Sequence, residues 1–562
     1  MRNLSLLLIG LLLLSNACSS QQSISESNTG GVTTSANASA SATPAGSPAP
    51  AASPGPSETS TIDPASIVLT VPVGEGGITY ADADVEELEP WGPSAFAIAD
   101  DGTYLIADAA SKRILRYRAD GSQLPAIDVK DLVSITDITA SPDNIYLLDK
   151  SAAIPSISRF SKDGSFEAQT PSTAIAGLRS RTAVRELSGV ATADDGAVLL
   201  EFEPGDATRR LNNVRALDRN LRGHNYSVSV PTLQRQLVEG GKASVLRNGS
   251  PFIEVKVDNL IAELRVLTVN SAGEIFVVVD EIVPTSKVDV DETVRRYRSD
   301  GTLLSYARVP IHDMYFQVKD NLKVNPQGEI IAKVPRQRDT VFVKLKFESQ
   351  LAPILPKTTF DPATPAPTPE GTCRRTRAQM IAMAETYINN RVNLSLANLS
   401  GDCQGRRKPK YLGDSAGVYS SVAYDWGGSD TPERYNQHMA ENRAAGDTDS
   451  HAVESCSSGV DCSGFVTRCW GFTDPGQRFT TASLPSISFE INILQLQAGD
   501  VLNKPHRHVA LFDRFDDGAS HDGNGLMLYE STTTEGSDRV IHGRTNWRRW
   551  LGYVALRYKR VC

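Results

Sequence analysis

Residues 459–466 read Gly459-Val460-Asp461-Cys462-Ser463-Gly464-Phe465-Val466. A cysteine follows an acidic residue and precedes a short apolar run, which predicts a loop that opens into a helix capped by Asp461 or Ser458. A thiol in the first helical turn faces unpaired N–H groups and the positive end of the helix dipole, and both favour the nucleophilic thiolate. A lone buried cysteine is more often structural, so the interpretation depends on partner residues elsewhere.

Two partners for this thiol follow downstream, each on a predicted strand. His508 begins the strand His508-Val509-Ala510-Leu511-Phe512, and Glu530 ends the strand Leu526-Met527-Leu528-Tyr529-Glu530. Cys462, His508 and Glu530 therefore occur in the order nucleophile, base and orienting residue, which are the three roles that a cysteine peptidase or amidase needs. A phenol and a tight glycine turn precede the nucleophile in Tyr424-Asp425-Trp426-Gly427-Gly428.

The last third of the chain resembles the NlpC-type family of papain-like cell-wall endopeptidases. Four motifs carry the resemblance in this order: Tyr-x-Trp-Gly-Gly, Asp-Cys-Ser-Gly-Phe-Val, Ala-Gly-Asp-Val and His-Val-Ala-Leu-Phe. The resemblance implies a small α+β papain-like domain, with the nucleophile helix packed on a short antiparallel sheet. It also implies cleavage of peptide bonds in peptidoglycan stem peptides, typically between D-glutamate and a diamino acid.

By matched position, the resemblance assigns roles to six residues. Cys462 is the nucleophile, His508 the base and Glu530 the third member of the catalytic set. The residues that match the family's substrate-binding positions are Tyr424, Asp461 and Ser463. The sequence departs from the family pattern at Glu530, where many members carry histidine, asparagine or glutamine, at Arg507, where glycine is common, and in a long insert at residues 390–420, which we expect to reshape the cleft.

Length and charge limit the class of protein. The chain has 562 residues, enough for several domains, and its net charge is −9. An acidic balance argues against a nucleic-acid-binding protein, which needs a basic face. We therefore expect a multidomain protein whose partners are not nucleic acids.

The N-terminal residues predict export. Residues 1–18 combine Arg2, an apolar run at residues 4–14 and Ser15-Asn16-Ala17 ahead of Cys18, which resembles a bacterial lipoprotein signal with Cys18 as the lipidated residue. Ordinary secretion is the alternative. Residues 19–66 are rich in Ser, Ala, Thr, Pro and Gly and predict a disordered tether. The expected location is the cell envelope, on the outer side of the cytoplasmic membrane or in the outer membrane.

Residues 67–349 contain a repeated pattern of strand, Asp-Gly-like turn and strand. The repeated unit occurs at residues 99–121, 141–164 and 192–200, at residues 269–280 with 296–301, and at residues 324–333 with 341–345. Repeats of this length predict a β-propeller of five or six blades, similar to NHL-type propellers, with a divergent blade at residues 240–257. A pair of β-sandwiches is the alternative. The propeller is expected to bind or position a protein or glycan ligand. Its Asp289-Val290-Asp291-Glu292 stretch predicts a solvated acidic loop, with a calcium loop as the alternative.

A proline-rich linker at residues 350–372 leads to the peptidase-like domain at residues 373–562. Six of the seven cysteines lie in this last domain, which suggests disulfides in an exported chain. We expect Cys373 to pair with Cys562 and Cys403 with Cys456, leaving Cys469 as a buried free thiol beside the nucleophile.

The sequence predicts no metal and no cofactor. His506, His508 and Cys462 would be the zinc alternative, but neither a CxxC nor an HExxH spacing is present. Two functions remain open. The first is an envelope-anchored cysteine hydrolase that cleaves amide bonds in peptidoglycan stem peptides. The alternative is a lipid-anchored binding or sensor protein with an inactive or repurposed peptidase-like domain.

Overall fold

The computed structural model describes residues 62–171, 201–311 and 321–562, with short gaps at 83–84, 133, 141–142, 150–155, 204–205, 210–218, 222, 362, 402, 404, 451–452, 475–476 and 517–522. The predicted signal peptide with Cys18, nearly all of the predicted tether and the repeat at residues 192–200 lie outside the described residues. Within the described ranges, none of the helices is both long and apolar enough to cross a membrane.

The first part of the described chain is almost entirely β-structure. It contains one helix, α1 (Leu233–Glu239). Its strands are, in chain order, β1 (Ile67–Pro72), β2 (Phe96–Ile98), β3 (Tyr104–Asp108), β4 (Arg113–Tyr117), β5 (Gln123–Asp128), β6 (Asp137–Ala140), β7 (Asn144–Asp149), β8 (Ser156–Ser161), β9 (Phe166–Pro171), β10 (Glu201–Glu203), β11 (Asp206–Arg209), β12 (Arg219–Leu221), β13 (His224–Ser229), β14 (Lys242–Arg247), β15 (Ser250–Lys256), β16 (Leu260–Val269), β17 (Ile275–Ile282), β18 (Val290–Tyr297), β19 (Leu303–Arg308), β20 (Leu322–Val324), β21 (Ile330–Pro335) and β22 (Asp339–Lys344).

These strands form small antiparallel sheets. Among the described residues, four sheets follow chain order, β2-β3-β4-β5, β6-β7-β8-β9, β12-β13-β14-β15 and β16-β17-β18-β19, and a short pair joins β10 to β11. The fifth four-stranded sheet has the order β1-β22-β21-β20, so the first strand completes the last repeat. Repeated four-stranded meanders closed in this way are typical of a propeller-like all-β fold rather than of a sandwich.

The Asp-Gly turns explain why the repeats fold alike. The glycines after the aspartates between the third and fourth strands of two sheets adopt left-handed backbone, with φ of 82° at Gly121 and 88° at Gly301. Each preceding aspartate accepts the backbone N–H two residues on, from Ser122 to Asp120 at 2.8 Å and from Thr302 to Asp300 at 2.9 Å. A side chain that closes its own turn fixes the hairpin locally, and the predicted repeat is confirmed at these turns. The divergent blade predicted at residues 240–257 corresponds to β14 and β15.

The predicted solvated acidic loop at Asp289 to Glu292 is wrong. Strand β18 begins inside it, at Val290. Asp291 accepts two hydrogen bonds from Arg308, both at 2.9 Å, and Glu292 accepts from Asn321 at 2.9 Å and from Arg548. Arg308 lies on the neighbouring strand β19, whereas Arg548 lies 256 positions from Glu292. No local pattern could therefore reveal the pairing of Glu292 with Arg548.

The last part of the chain combines helices with one large sheet. Its helices are α2 (Arg377–Ile388), α3 (Leu396–Ser400), α4 (Pro432–Ala440) and α5 (Cys462–Cys469). Its strands are β23 (Arg391–Leu394), β24 (Gly417–Ser420), β25 (Ala444–Ala445), β26 (Ser457–Ser458), β27 (Ser488–Glu490), β28 (Val501–Lys504), β29 (His508–Asp516), β30 (Gly525–Thr532), β31 (Arg539–Thr545) and β32 (Val554–Tyr558).

The sheet of this part has the order β27-β32-β28-β29-β30-β31 and is antiparallel throughout. Helix α5 packs on β29, β30 and α2. The buried side chains Phe465 and Val466 of α5 belong to one apolar cluster with Val509 and Leu511 of β29. Helix α5 is thereby held against β29.

The cysteine pairing agrees with the prediction. Cys373 is bonded to Cys562 and Cys403 to Cys456, with Cα–Cα distances of 5.6 and 5.7 Å. Cys462 and Cys469 are both free and buried. The first disulfide joins the two ends of the domain, and the second ties the long insert to the loop before α5.

The two parts share a continuous apolar core. Leu260, Ala262 and Ile282 of the propeller-like part belong to one cluster with Trp547 and Trp550, which lie on a short 3₁₀-helix (Trp547–Trp550) between β31 and β32. Arg548, between these tryptophans, pairs with Glu292 across the boundary. The predicted linker also contacts both parts, through Thr358 to Asn259 and through Thr364 to Gln495.

Removing the Arg548 side chain is expected to destabilise both parts together. Arg548→Ala leaves Glu292 and the neighbouring buried Asp280 without their cation, and breaking a buried ion pair typically lowers the free energy of unfolding by about 3–5 kcal/mol. Urea denaturation of the whole chain, followed by far-UV circular dichroism, measures the change. Arg560→Ala, at an exposed site, is the matched control and is expected to cost about 0.5 kcal/mol or less. Equal midpoints for the two variants would contradict the shared core.

Candidate active site

Helix α5 begins at Cys462, and Asp461 is its cap. The Asp461 carboxylate accepts the backbone N–H of Gly464 at 2.6 Å, so of the two predicted caps the structure uses Asp461. Ser458 instead contacts Asp430 and His438. The cysteine side chain is therefore fixed in the first turn of the helix, where the sequence predicted it.

Glycines in two of the motifs allow the turn at residues 424–428 to approach this helix closely. A Cβ at Gly464 would lie 2.3 Å from the carbonyl oxygen of Gly428, and a Cβ at Gly428 would lie 2.7 Å from that of Gly459. Any side chain at these positions would push the turn away from the helix. The glycines of both motifs thus serve one packing contact that sets the wall of the site.

His508 is the first residue of β29, and its ring is held by a chain of charged groups. Its Nε2 lies 3.0 Å from Oε2 of Glu530. Arg549 donates to both oxygens of Glu530, at 2.7 Å each. One face of the imidazole ring stacks on the ring of Trp550, with the ring centroids 6.2 Å apart. Because Nε2 faces the carboxylate, Nδ1 is the nitrogen left to exchange a proton with another group.

Glu530 stays ionised in this arrangement. Burial opposes its charge, but Arg549 and His508 outweigh burial and lower the pKa of the Glu530 carboxyl to about 2. A permanently negative partner stabilises an imidazolium when one forms. His508 and Glu530 were predicted from the sequence, whereas Arg549 was not. The signal that could have identified Arg549 is the unusual pattern Trp547-Arg548-Arg549-Trp550.

The Cys462 thiol lies close to the start of β29, the strand that His508 begins. The backbone N–H of Val509, next to His508, forms a hydrogen bond with the Cys462 thiol that favours its charged form. The sulfur therefore lies against the strand that carries His508. Within the residues described, the structure brings all three members of the predicted set, Cys462, His508 and Glu530, to one end of the sheet.

The predicted substrate-binding residues line the same site. Ser463 donates to Asp461 at 3.2 Å, and Arg478, which sequence analysis missed, contacts both. Tyr424 is buried, and its hydroxyl donates to the carbonyl oxygen of Glu87 at 3.3 Å. Glu87 belongs to the propeller-like part of the chain.

Residues 85–91, which we call the cleft segment, occupy the space next to the thiol. They belong to the connection between β1 and β2. Cys462 Sγ donates to the carbonyl oxygen of Glu87 at 3.6 Å, across 375 positions of sequence. The Glu87 carboxylate accepts from the backbone N–H of Thr481 at 3.0 Å and from its hydroxyl at 2.7 Å. Glu89 pairs with Arg549 at 2.7 Å.

The cleft segment prevents the ionisation of the Cys462 thiol that its helix position predicts. The helix N-terminus alone favours a thiolate, but burial, and then the charges of Glu87 and Asp461, raise the pKa of the Cys462 thiol well above its usual value. Cys462 has no exposed surface. The sulfur is thus a neutral thiol for as long as the cleft segment covers it.

Three side chains at the site have a spacing that would suit a metal ion. Glu89, His508 and Glu530 offer ligand atoms within 4.8 Å of one another. The guanidinium of Arg549 pairs with both of these carboxylates. Their negative charge is therefore already balanced by a protein cation, and these residues fit an arginine between two carboxylates better than a metal site.

The long insert at residues 390–420 contacts residues around the cleft segment. Arg407 pairs with Asp82 at 3.7 Å, and the Lys410 ammonium lies 4.5 Å from the centre of the Trp91 ring. The insert therefore contacts the connection between β1 and β2 near both ends of the cleft segment. In this way it shapes the cleft, as we expected from the sequence.

Comparisons with known proteins give little for this chain. No family model and no curated protein matches it. Among solved structures, it is similar to a functionally unknown protein from Desulfotomaculum acetoxidans, with 10% identity, a TM-score of 0.28 and coverage of 46% of this chain and 87% of that one. It is also similar to the PQQ-bound aldose sugar dehydrogenase from Streptomyces coelicolor, with 12% identity, a TM-score of 0.20 and coverage of 49% and 100%. Likenesses this weak carry no argument about the activity of the chain.

A buried aspartate beneath the site is expected to make stability depend on pH. Asp538 accepts the backbone N–H of Lys410 at 2.6 Å, and burial raises the pKa of its carboxyl from 3.8 to about 6. The folded chain then binds this proton more tightly than the unfolded chain. The group's stabilising contribution is full below about pH 4 and is lost as the pH rises through about 6, a change on the order of 3 kcal/mol.

Asp538→Asn removes that titration. We expect the variant to gain stability relative to the wild type between pH 4 and pH 7, measured as the free energy of unfolding in urea at both values. Asparagine keeps an acceptor for the Lys410 amide and tolerates the left-handed backbone at this position, where φ is 46°. Asp258→Asn, at an exposed site, should show no such difference. A constant offset across this pH range would contradict the assignment.

Proposed function

We propose that this chain is a cysteine hydrolase of the cell envelope that cleaves amide bonds in peptidoglycan stem peptides. The observation that carries the proposal is the convergence of Cys462, at the start of a helix, with a histidine held by a buried carboxylate and an arginine. A helix packed on an antiparallel sheet, with the nucleophile in its first turn, is also the arrangement expected of a papain-like domain.

The proposed reaction is acyl transfer through a thioester. With the cleft free, His508 Nδ1 takes the thiol proton, and the Cys462 sulfur bonds to the substrate carbonyl carbon. The Cys462 backbone N–H stabilises the oxyanion that forms. The C–N bond then breaks, and the imidazolium gives its proton to the leaving amine. Water, deprotonated by His508, hydrolyses the thioester and restores the thiol.

Each neighbour of this pair has a role in the proposal. Glu530 and Arg549 keep the histidine ring oriented and stabilise its charged form. Arg478 places a cation beside Asp461 and Ser463, at the side of the site that would receive a peptide with a free carboxylate. The substrate class itself rests on the four motifs that resemble the NlpC-type family, and on the predicted export signal and tether.

The propeller-like part is proposed to bind or position the wall substrate for the hydrolase. Support comes from the shared apolar core and the buried pair between Arg548 and Glu292, because such contacts hold the two parts in a fixed relation. A lipid anchor on Cys18 would hold the whole chain at the envelope membrane.

One observation favours the second candidate function. The Cys462 thiol is covered by the cleft segment and is neutral in this structure. A lipid-anchored binding or sensor protein with an inactive peptidase-like domain would leave the thiol covered at all times. Turnover of wall peptides separates the two proposals.

Cys462→Ala is expected to abolish hydrolysis of purified muropeptides, because no other group can form the thioester. Mass spectrometry of the products measures the loss. Cys469→Ala is the matched control: it removes the other buried free thiol of the same helix and should retain activity. Activity in Cys462→Ala equal to that of the wild type would overturn the proposal.

Glu530→Ala is expected to lower kcat on the order of 10²- to 10⁴-fold, because the imidazole loses its orienting carboxylate and Arg549 loses half of its charge partners. KM should change much less. Steady-state kinetics on a muropeptide substrate separates the two constants. Glu490→Ala, on the edge strand β27 far along the sheet order from β30, serves as the control. A loss confined to KM would argue against the orienting role.

A further inference from the structure

We propose that the cleft segment is an autoinhibitory element: in this structure it occupies the substrate cleft, and it must leave before Cys462 can react. This inference rests on the proposed hydrolase function. It assigns to the propeller-like part a second role besides binding, which is control of access to the thiol.

The peptide group of Glu87 lies directly beside the Cys462 sulfur. Its carbonyl oxygen accepts from both Cys462 Sγ, at 3.6 Å, and Tyr424 OH, at 3.3 Å. A substrate carbonyl carbon must approach the sulfur to about 3–3.5 Å to react. The space beside the sulfur is already filled by a peptide group of the chain itself, and Cys462 has no exposed surface.

Residues that surround the Cys462 thiol also bind the cleft segment. The carboxylate of Glu87 is bound by the N–H and hydroxyl of Thr481, at 3.0 and 2.7 Å. Glu89 pairs with Arg549, the residue that also holds Glu530. Trp426 of the Tyr-x-Trp-Gly-Gly motif donates to the carbonyl oxygen of Glu86 at 3.1 Å. The cleft segment is thus bound by Thr481, Arg549 and Trp426, which lie around the thiol where a substrate peptide would bind.

The closed arrangement carries costs that release of the cleft segment would remove. Glu87 adopts left-handed backbone, with φ of 61°, a conformation that strains a residue with a side chain. Burial and the nearby charge of Asp461 raise the pKa of the Glu87 carboxyl, so its charge is held at a cost. Strain of this kind favours a segment that can leave over one that is a permanent wall.

The insert contacts the connection between β1 and β2 outside the cleft. Arg407 of the insert, whose side chain is 55% exposed, pairs with Asp82, whose side chain is 9% exposed, and Lys410 lies over Trp91. Asp82 also accepts hydrogen bonds from Trp91 and Thr533, both at 3.3 Å. These contacts hold the connection beside the cleft segment.

The test is the rate at which iodoacetamide alkylates Cys462 in the native full-length chain, measured by peptide mass spectrometry. Glu87→Ala removes the carboxylate bound by Thr481 and is expected to raise that rate about tenfold or more. Glu75→Ala is the matched control, because it removes an exposed carboxylate from the same connection between β1 and β2, outside the cleft segment, and should leave the rate unchanged. An unchanged rate in Glu87→Ala would overturn the proposal.

Cys469 is an internal reporter of folding, because it is the other buried free thiol of α5. It should stay unreactive in Glu87→Ala while Cys462 reacts. If both thiols react in that variant, the fold has loosened and Trp426→Phe decides the question. Selective alkylation of Cys462 in Trp426→Phe supports the proposal, and a wild-type rate contradicts it.

The same variants separate this inference from the proposed function. If Glu87→Ala exposes a reactive Cys462 but cleaves no muropeptide, the autoinhibitory contact stands and the hydrolase proposal fails. If the wild type cleaves muropeptides as fast as Glu87→Ala and the alkylation rates are equal, the hydrolase stands and the autoinhibitory contact fails. If Glu87→Ala raises both the rate of Cys462 alkylation and the rate of muropeptide cleavage, the autoinhibitory contact and the hydrolase proposal are both supported.

Discussion

The guanidinium of Arg549, placed between the carboxylates of Glu530 and Glu89, is the contact on which the rest of the site depends. One carboxylate orients the imidazole of His508, and the other belongs to the cleft segment. A buried cation is stable only with its charge balanced, so Arg549 couples the base to the element that covers the nucleophile. Losing Glu89 from this arrangement would leave Arg549 paired with Glu530 alone.

The sequence predicted what depends on local pattern. Asp461 caps the helix of Cys462, and His508 begins its strand. Each of these features follows from neighbours within a few positions. The Asp-Gly turns of the first part belong to the same class, because the aspartate closes its own turn.

What the sequence could not predict depends on contacts between distant residues. Glu87 lies 375 positions before Cys462, and Glu89 lies 460 positions before Arg549; nothing in their local sequence distinguishes them from a solvated acidic stretch. The thiol is the clearest case. Its helix position favours ionisation, yet burial beneath the cleft segment has the larger effect and raises the pKa of the Cys462 thiol. The burial of Glu292 could not be predicted for the same reason, since its partner Arg548 lies 256 positions away.

The central claim is that the Cys462 sulfur forms a covalent bond with the carbonyl carbon of its substrate. Acid quenching of Glu87→Ala during muropeptide turnover, followed by peptide mass spectrometry, tests this directly. The account predicts an acyl adduct on the peptide that contains Cys462, absent when His508 is replaced by alanine. Turnover with no adduct on that peptide, and undiminished by the loss of His508, would contradict it.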